Sequence, residues 1–423
     1  MTDAADSPAS PTVPAAAGSR GRAAGPGATP RRAPARRPPD RKERILDAAA
    51  VLFRDRGYHN VSVADVAGAV GITAPALYRH FRGKPDLLAR VVDRTVDTIA
   101  ASTAAAPDLD TYLGTAAGHS IERRGAAVLW QREARHLPDE QRERERHVLS
   151  AAAGSLGGLI GAERPELPTA DRTLLAWAVL SVLGSISWHR TSLPRRRFEE
   201  VMRGLATAAA RCELGTPGGG DPTAEGENAT REPGAYAALA LSRREEILGA
   251  ALRLFDERGF QSVSTDDIGE AAGASGPSIY KHYPTKPDLL IAGVVRAGEQ
   301  RRAGTARALE GPGTPFETLE RLLRSYVDFA LGHTRLIGIL LAELDQLPDK
   351  ERRSALQAQR EYLALWGRLF GEARPGTDPA EGRIVVSAVL TVVDNAVRTG
   401  RLGARADLGD RLVEVGLALL RAG

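Results

Sequence analysis

The sequence predicts an all-α chain made of two copies of one helical domain, and three observations carry that prediction. First, RKERILDAAAVLFRDRGYHNVSVADVAGAVGITAPALYRHFRGKPDLL, from Arg41, aligns without a gap onto RREEILGAALRLFDERGFQSVSTDDIGEAAGASGPSIYKHYPTKPDLL, from Arg243. The offset is 202, and about half the positions are identical. Second, LWQREARHLPDE is echoed by LLAELDQLPDK, and AVLSV by AVLTV, at an offset of 210, so the repeat spans a whole domain of about 170 to 180 residues. Third, apolar residues recur every three or four positions, and strand-like alternation with paired turns is missing.

Taken in order, residues 1–40 are rich in Ala, Pro, Gly and Arg and almost free of large apolar side chains. Such a segment buries too little surface to offset its ordering entropy, so a disordered tail is expected, its six arginines either solvated or resting on phosphates. Ile45, Leu46, Ala49, Leu52 and Phe53 then form one helical stripe, stopped at Gly57. Ser62 is an N-cap for a short helix carrying Val63, Val66 and Val70, and Gly71 marks a tight turn. Thr73 caps the next helix, with Pro75 in its first turn, where a missing N–H costs little. After a break at Gly83, a long helix runs from Lys84 to about Ala106. The second copy repeats the punctuation at Gly259, Ser264, Gly273, Ser275, Pro277 and Pro287. Helix pairs near 173–190 with 198–213, and 384–399 with 408–420, are too apolar for a single exposed face and should bury against another domain. Between the copies lies a Gly/Pro-rich stretch read as a flexible linker. The expected boundaries are a tail at 1–40, a reader domain at 41–101 and a larger helical domain at 102–213. A linker at 214–240, a second reader domain at 241–303 and a second helical domain at 304–423 complete them.

Composition excludes several classes. Cys212 is the sole cysteine, which removes intrachain disulfides and cysteine-based metal sites. No signal peptide opens the chain, and the apolar stretch from Leu174 to Trp188 is too short and serine-interrupted to span a bilayer. A cytoplasmic protein without membrane attachment is expected. The net charge of +4 argues only weakly for a polyanionic partner. The basic residues are 52 arginines and 5 lysines, yet Lys42, Lys84, Lys281 and Lys286 all fall within the two repeated segments.

Two short helices joined by a glycine turn and backed by a preceding helix make a helix-turn-helix. The recognition helices would be Thr73 to Phe81 and Ser275 to Tyr283. Their leading residues, Thr73, Ala74 and Ala76 or Ser275, Gly276 and Ser278, are small enough for close approach to base edges. Tyr78, Arg79, His80 and Lys84, with Tyr280, Lys281, His282 and Lys286, suit phosphate oxygens. Ser62 and Ser264, opening the preceding helix, join the DNA-facing candidates. Leu77, Phe81, Ile279 and Tyr283 should face the core. Plain roles stand beside these: the tyrosines packing on the core, the histidines at a helix C-terminus, the lysines solvated.

The pattern from ILDAAAVLF through ALYRHFRGKPDLL, present in both copies, closely resembles the DNA-binding domain of the tetracycline-repressor (TetR/AcrR) family. The resemblance covers about 50 residues per copy. It implies two copies of a TetR-like fold, each a three-helix DNA-binding domain followed by a helical domain that binds a ligand and dimerises. It also implies phosphate contacts at Tyr78, His80 and Lys84 and at Tyr280, His282 and Lys286, and base reading at the starts of the recognition helices. The implied partners are double-stranded operator DNA and a small-molecule effector, with repression as the family default. Two copies in one chain depart from the family pattern, leaving an internal pseudo-dimer and a homodimer both open. A linker of some 20 residues, reaching roughly 70 Å when extended, permits the former.

In the helical domains, Trp130, Glu133 and His136, with Glu343 and Gln346, are candidates for lining an effector cavity, core packing being the equal alternative. Glu133 and His136 share a helical face, but no third metal ligand accompanies them and Gln346 replaces the histidine in the second copy, so neither a metal nor a cofactor is expected. The stretches RLLRSYVDFA and Gln141 to His147 suggest solvated helix faces. No GxSxG elbow, Walker loop or HExxH motif is present, so no enzyme is expected. The competing class is a ligand- or protein-binding scaffold in which one reader head no longer binds DNA.

Overall fold

The computed structural model describes residues 41–124, 126–215, 242–274 and 276–423. The expected disordered tail and all but the first residues of the expected linker lie outside them, as does Ser275. Every regular element among the described residues is helical. The first half contains α1 (Arg41–Arg56), α2 (Val63–Ala69), α3 (Ala74–Tyr78), α4 (Lys84–Ala105), α5 (Leu109–Glu122) and α6 (Ala126–Glu133). A 3₁₀ turn (Ala134–His136), α7 (Asp139–Glu163), α8 (Thr169–Ser185) and α9 (Arg195–Ala210) follow. The second half repeats this order as α10 (Arg243–Arg258), α11 (Thr265–Ala272), α12 (Gly276–His282), α13 (Lys286–Leu309), α14 (Pro315–Gly332) and α15 (Thr334–Ala342). A 3₁₀ turn (Leu344–Gln346), α16 (Asp349–Ala373), α17 (Pro379–Arg398), the one-turn α18 (Gly400–Gly403) and α19 (Leu408–Ala422) complete it.

Local chemistry sets the reader heads. The Asp65 N–H donates to Ser62 Oγ at 3.1 Å, and the Asp65 carboxylate accepts from the Ser62 N–H at 2.7 Å, a reciprocal cap that starts α2. Ser264 and Asp267 repeat it at 3.0 and 2.7 Å. Gly71 and Gly273 hold the turns at φ of 70° and 59°, a left-handed backbone that side chains disfavour. Thr73 stands at the N-cap of α3 but makes no side-chain cap bond. The first recognition helix is also shorter than the sequence suggested, because Arg79 and His80 lie in the turn beyond Tyr78.

Ile45, Phe53, Val66, Leu77 and Phe81 close a small core in the first head, completed by Leu88 and Val92 of α4 and Val128 and Leu129 of α6. The second head's core, including Ile247, Phe255, Ile268 and Ile279, runs without a break into the larger bundle. The segment from Arg321, expected as a solvated face, is instead the core-facing α14. Leu322, Leu323, Tyr326, Val327 and Phe329 are buried there at helical spacing, and only its arginines and Asp328 turn outward. Glu145, in the other charged run, is buried beside Arg144 and Asp93 rather than solvated.

The late apolar helices bury against each other across the two halves. α8 packs along α17, and α9 along α19. Ala178 and Val182 of α8 and Val389 and Val392 of α17 are all nearly fully buried within one continuous core. Polar links set the register of this contact. Asn395 accepts from Gln131 at 2.7 Å and donates to Ser181 at 3.1 Å. Arg197 grips Glu381 through two hydrogen bonds, and buried Asp171 accepts from Arg405 at 2.6 Å. Gly215, at the start of the expected linker, donates to Glu414 and accepts from Arg411 of α19, so the chain is pinned to the second half before that linker begins in earnest.

Candidate nucleic-acid interface

The outer faces of α3 and α12 present the predicted contact residues. Tyr78 is 55% and Tyr280 51% exposed, unusual for large aromatic side chains, whereas Leu77 and Ile279 beside them are fully buried. Thr73, Arg79 and His80 are exposed, and Ala74 and Ala76 half-buried. In the second head, Lys281 is exposed and Ser278 and His282 half-buried, while Gly276 opens α12. Tyr280 Oη lies 3.2 Å from Thr265 Oγ1, which steadies the phenol at the rim of α11. Ser62 and Ser264 are exposed but their hydroxyls are committed to the caps of α2 and α11.

Lys84 and Lys286 stand differently. Lys84 Nζ donates to the His59 carbonyl at 3.2 Å and lies 4.3 Å from the centre of the Tyr58 ring. Lys286 Nζ donates to the Phe260 and Val263 carbonyls, both at 2.9 Å, over the Phe260 ring. Burial lowers both ammonium pKa values. Each lysine therefore clamps the loop between the first two helices of its head, and so fixes the frame that carries the recognition helix.

The residues expected to line an effector cavity meet at the other end of each head. Glu133 is buried and accepts from the Tyr58 backbone N–H, while Glu343, equally buried, accepts from the Phe260 N–H at 2.9 Å. Each glutamate ties its helical domain to the end of the head's first helix. Burial raises both carboxyl pKa values against the pull of neighbouring arginines. Arg132 serves Glu133 at 3.2 Å. Glu343 is served at 2.5 Å by Arg135 from the opposite half, and Arg132 also reaches Asp345 there. His136 stacks on Tyr58 with ring centres 5.2 Å apart, and burial beside Arg135 pushes its pKa down to about 3, so it is neutral. Gln346 accepts from Gln261 at 2.5 Å, and Trp130 packs half-buried on the first head's core.

An open cleft lies elsewhere, between α4, α5, α6 and α8. None of Trp130, Glu133, His136, Glu343 or Gln346 lines it; Glu133, Glu343 and Gln346 spend their polar groups on the junction between head and helical domain, and His136 stacks there on Tyr58. Thr98, Tyr112, His119, Arg123 and Leu183 do line it, and sequence reasoning did not select them. Arg135, which pairs with Glu343 across the halves, was also missed. One signal was available: Glu133 and Glu343 survive at the 210-residue offset while most neighbours differ.

Two helix-turn-helix heads on paired helical domains define a DNA-binding transcriptional regulator. A family model described as bacterial regulatory proteins, tetR family, matches twice, at residues 45–91 and 247–292. The transcriptional repressor KstR2 of Mycolicibacterium smegmatis is 31% identical over 145 residues, covering 31% of this chain and 71% of the relative. The repressor KstR of the same species is 32% identical over 151 residues, covering 36% and 72%. Among solved structures, the ketosteroid regulator KstR2 of Mycobacterium tuberculosis shares 20% identity at a TM-score of 0.39, covering 43% of this chain and 94% of that one. The chain belongs to the tetR family of bacterial regulatory proteins, a family of regulators and not of enzymes, and carries its DNA-binding domain twice.

Proposed function

We propose that this chain is a self-paired operator-binding repressor, acting in the cytoplasm, in which one polypeptide supplies both reader heads and a small molecule releases it from DNA. The observation that carries the reading is the packing of α8 and α9 on α17 and α19 within one chain, with a complete head on each side. Repression is the mode named for the relatives KstR and KstR2. The heads enter successive major grooves about 34 Å apart, and an effector that favours another spacing draws the population away from the DNA-competent form. Tyr78, Arg79, His80, Tyr280, Lys281 and His282 hold phosphates; Thr73, Ala74, Ala76, Ser275, Gly276 and Ser278 approach base edges. Lys84, Lys286, Ser62 and Ser264 act as positioning residues.

Because Ala76 stands opposite Ser278 and Ala74 opposite Gly276, the two half-sites differ. Footprinting on the chain's own promoter tests this. An imperfect palindrome is expected, protected over two adjacent major grooves, and a perfectly symmetric operator would overturn the assignment of separate half-sites. Should alanine at Tyr280 and His282 leave binding unchanged at every salt concentration, the second head is a scaffold instead.

A further inference from the structure

The halves share their helices but not their interiors. In the first half the cleft opens to solvent between α4, α5, α6 and α8, and its wall is mostly apolar with a few polar groups, the pattern of small-molecule sites. Ile99, Ala116 and Leu183 contribute to its apolar wall, while Arg123 and His119 contribute nitrogen donors and Thr98 a hydroxyl. Among the described residues, no carboxylate lines it. Arg123 is exposed, donates to Thr98 Oγ1 at 2.5 Å and makes no ion pair among the described residues, so its charge faces the opening unneutralised.

At the 210-residue offset Ala116 becomes Tyr326, His119 becomes Phe329 and Gly184 becomes Asp394. Tyr326 is 7% exposed, and its hydroxyl donates to buried Asp394 at 2.7 Å. The Tyr362 ring lies 6.0 Å from that of Tyr326, and the Arg301 guanidinium lies 4.5 Å over Tyr362. Trp366 is fully buried behind them. The positions that are alanine and glycine around the first cleft thus carry, in the second half, a tyrosine and an aspartate joined by a hydrogen bond within an aromatic cluster.

We propose that the chain takes one effector, not two: an amphipathic organic anion enters the first-half cleft with its acidic group on Arg123, while Tyr326, Asp394 and Tyr362 occupy the matching space of the second half. The second half is a ligand-blind partner. The signal then has one route across the molecule, because α8 lines the cleft with Leu183 and Gly184 and packs along α17 with its other face. This rests on the reading of the chain as an effector-released regulator, but its test needs no DNA.

The full chain is titrated with 1-anilinonaphthalene-8-sulfonate, an apolar fluorophore carrying a sulfonate. One site per chain is expected. Ala116→Tyr, which installs the second half's plug in the first, should abolish it. Arg123→Gln, at an exposed position that leaves the core alone, should weaken binding at least tenfold. Two equivalent sites in the native chain, no saturable site, or binding unchanged by both Ala116→Tyr and Arg123→Gln would overturn the proposal. A native chain that binds one probe molecule yet no promoter fragment would sink the regulator reading alone.

Discussion

Arg135→Ala is expected to destabilise the second head although Arg135 belongs to the first half. Glu343 is 2% exposed at its side chain and has two strong partners, the Phe260 N–H at 2.9 Å and the Arg135 guanidinium at 2.5 Å. Without the guanidinium the carboxylate has two options. Remaining ionised and unpaired in the interior costs about 3 to 5 kcal/mol. Taking up a proton at pH 7 costs about 1.4 kcal/mol for each pH unit above a reference pKa of about 4.3, or about 4 kcal/mol. The cheaper option sets the loss, so about 3 to 4 kcal/mol is expected at neutral pH. In the variant the folded state holds its proton more tightly than the unfolded chain, so the deficit shrinks as pH falls toward 5. Urea denaturation at pH 7.5 and 5.5 reads both quantities from the midpoint. Arg135→Ala combined with Glu343→Gln should recover most of the loss, because glutamine still accepts from Phe260. A single variant within about 0.5 kcal/mol of the native chain at pH 7.5, the scatter of ordinary surface substitutions, would refute the reasoning, as would a double variant that recovers nothing.

Arg79→Ala and Lys281→Ala, each removing one exposed cation from a recognition helix, should each lower the slope of log affinity against log salt by about 1, measured by fluorescence anisotropy on promoter DNA. Light scattering at micromolar concentration should return a particle of the 45.0 kDa chain mass; a particle of twice that mass would replace the internal pairing by a homodimer. Burial pushes the Asp394 carboxyl up to about 7 against the Tyr326 hydrogen bond, above its unfolded value. Its contribution is therefore lost as pH rises from about 4 to 7, and the gain in Tm of Asp394→Asn over the native chain should grow across that window and level off above it. A gain that is flat from pH 4 to 8 would remove Asp394 from the titrating groups.

The repeat, the helical class and the reader heads were legible because local rules suffice for them. Ser62 with Asp65, Gly71 and the Leu77–Phe81 pair encode their own caps, turn and inward face within a few residues. The junction was not legible, because Glu133 and Glu343 find partners 75 and 83 residues away, and Glu343 takes its arginine from the other half. Short spacing placed Glu133 and His136 on one helical face but could not say whether that face met a cavity or a neighbouring head. The second half's interior was misread for a related reason. In RLLRSYVDFA the eye is drawn to two arginines and an aspartate, while burial is decided by the four apolar or aromatic positions between them.

The α8–α17 contact joins surfaces held on a single polypeptide. Two subunits that meet in solution come apart on dilution, and their pairing depends on how many are made. Here the local concentration of one half near the other is set by chain connectivity and does not fall when expression is low. If the self-paired repressor proposed above is the form that reads DNA, one translated molecule per operator makes a complete reader. The two heads, inherited as separate stretches of coding sequence, are also free to drift apart in what they recognise, which two products of a single-headed gene cannot do.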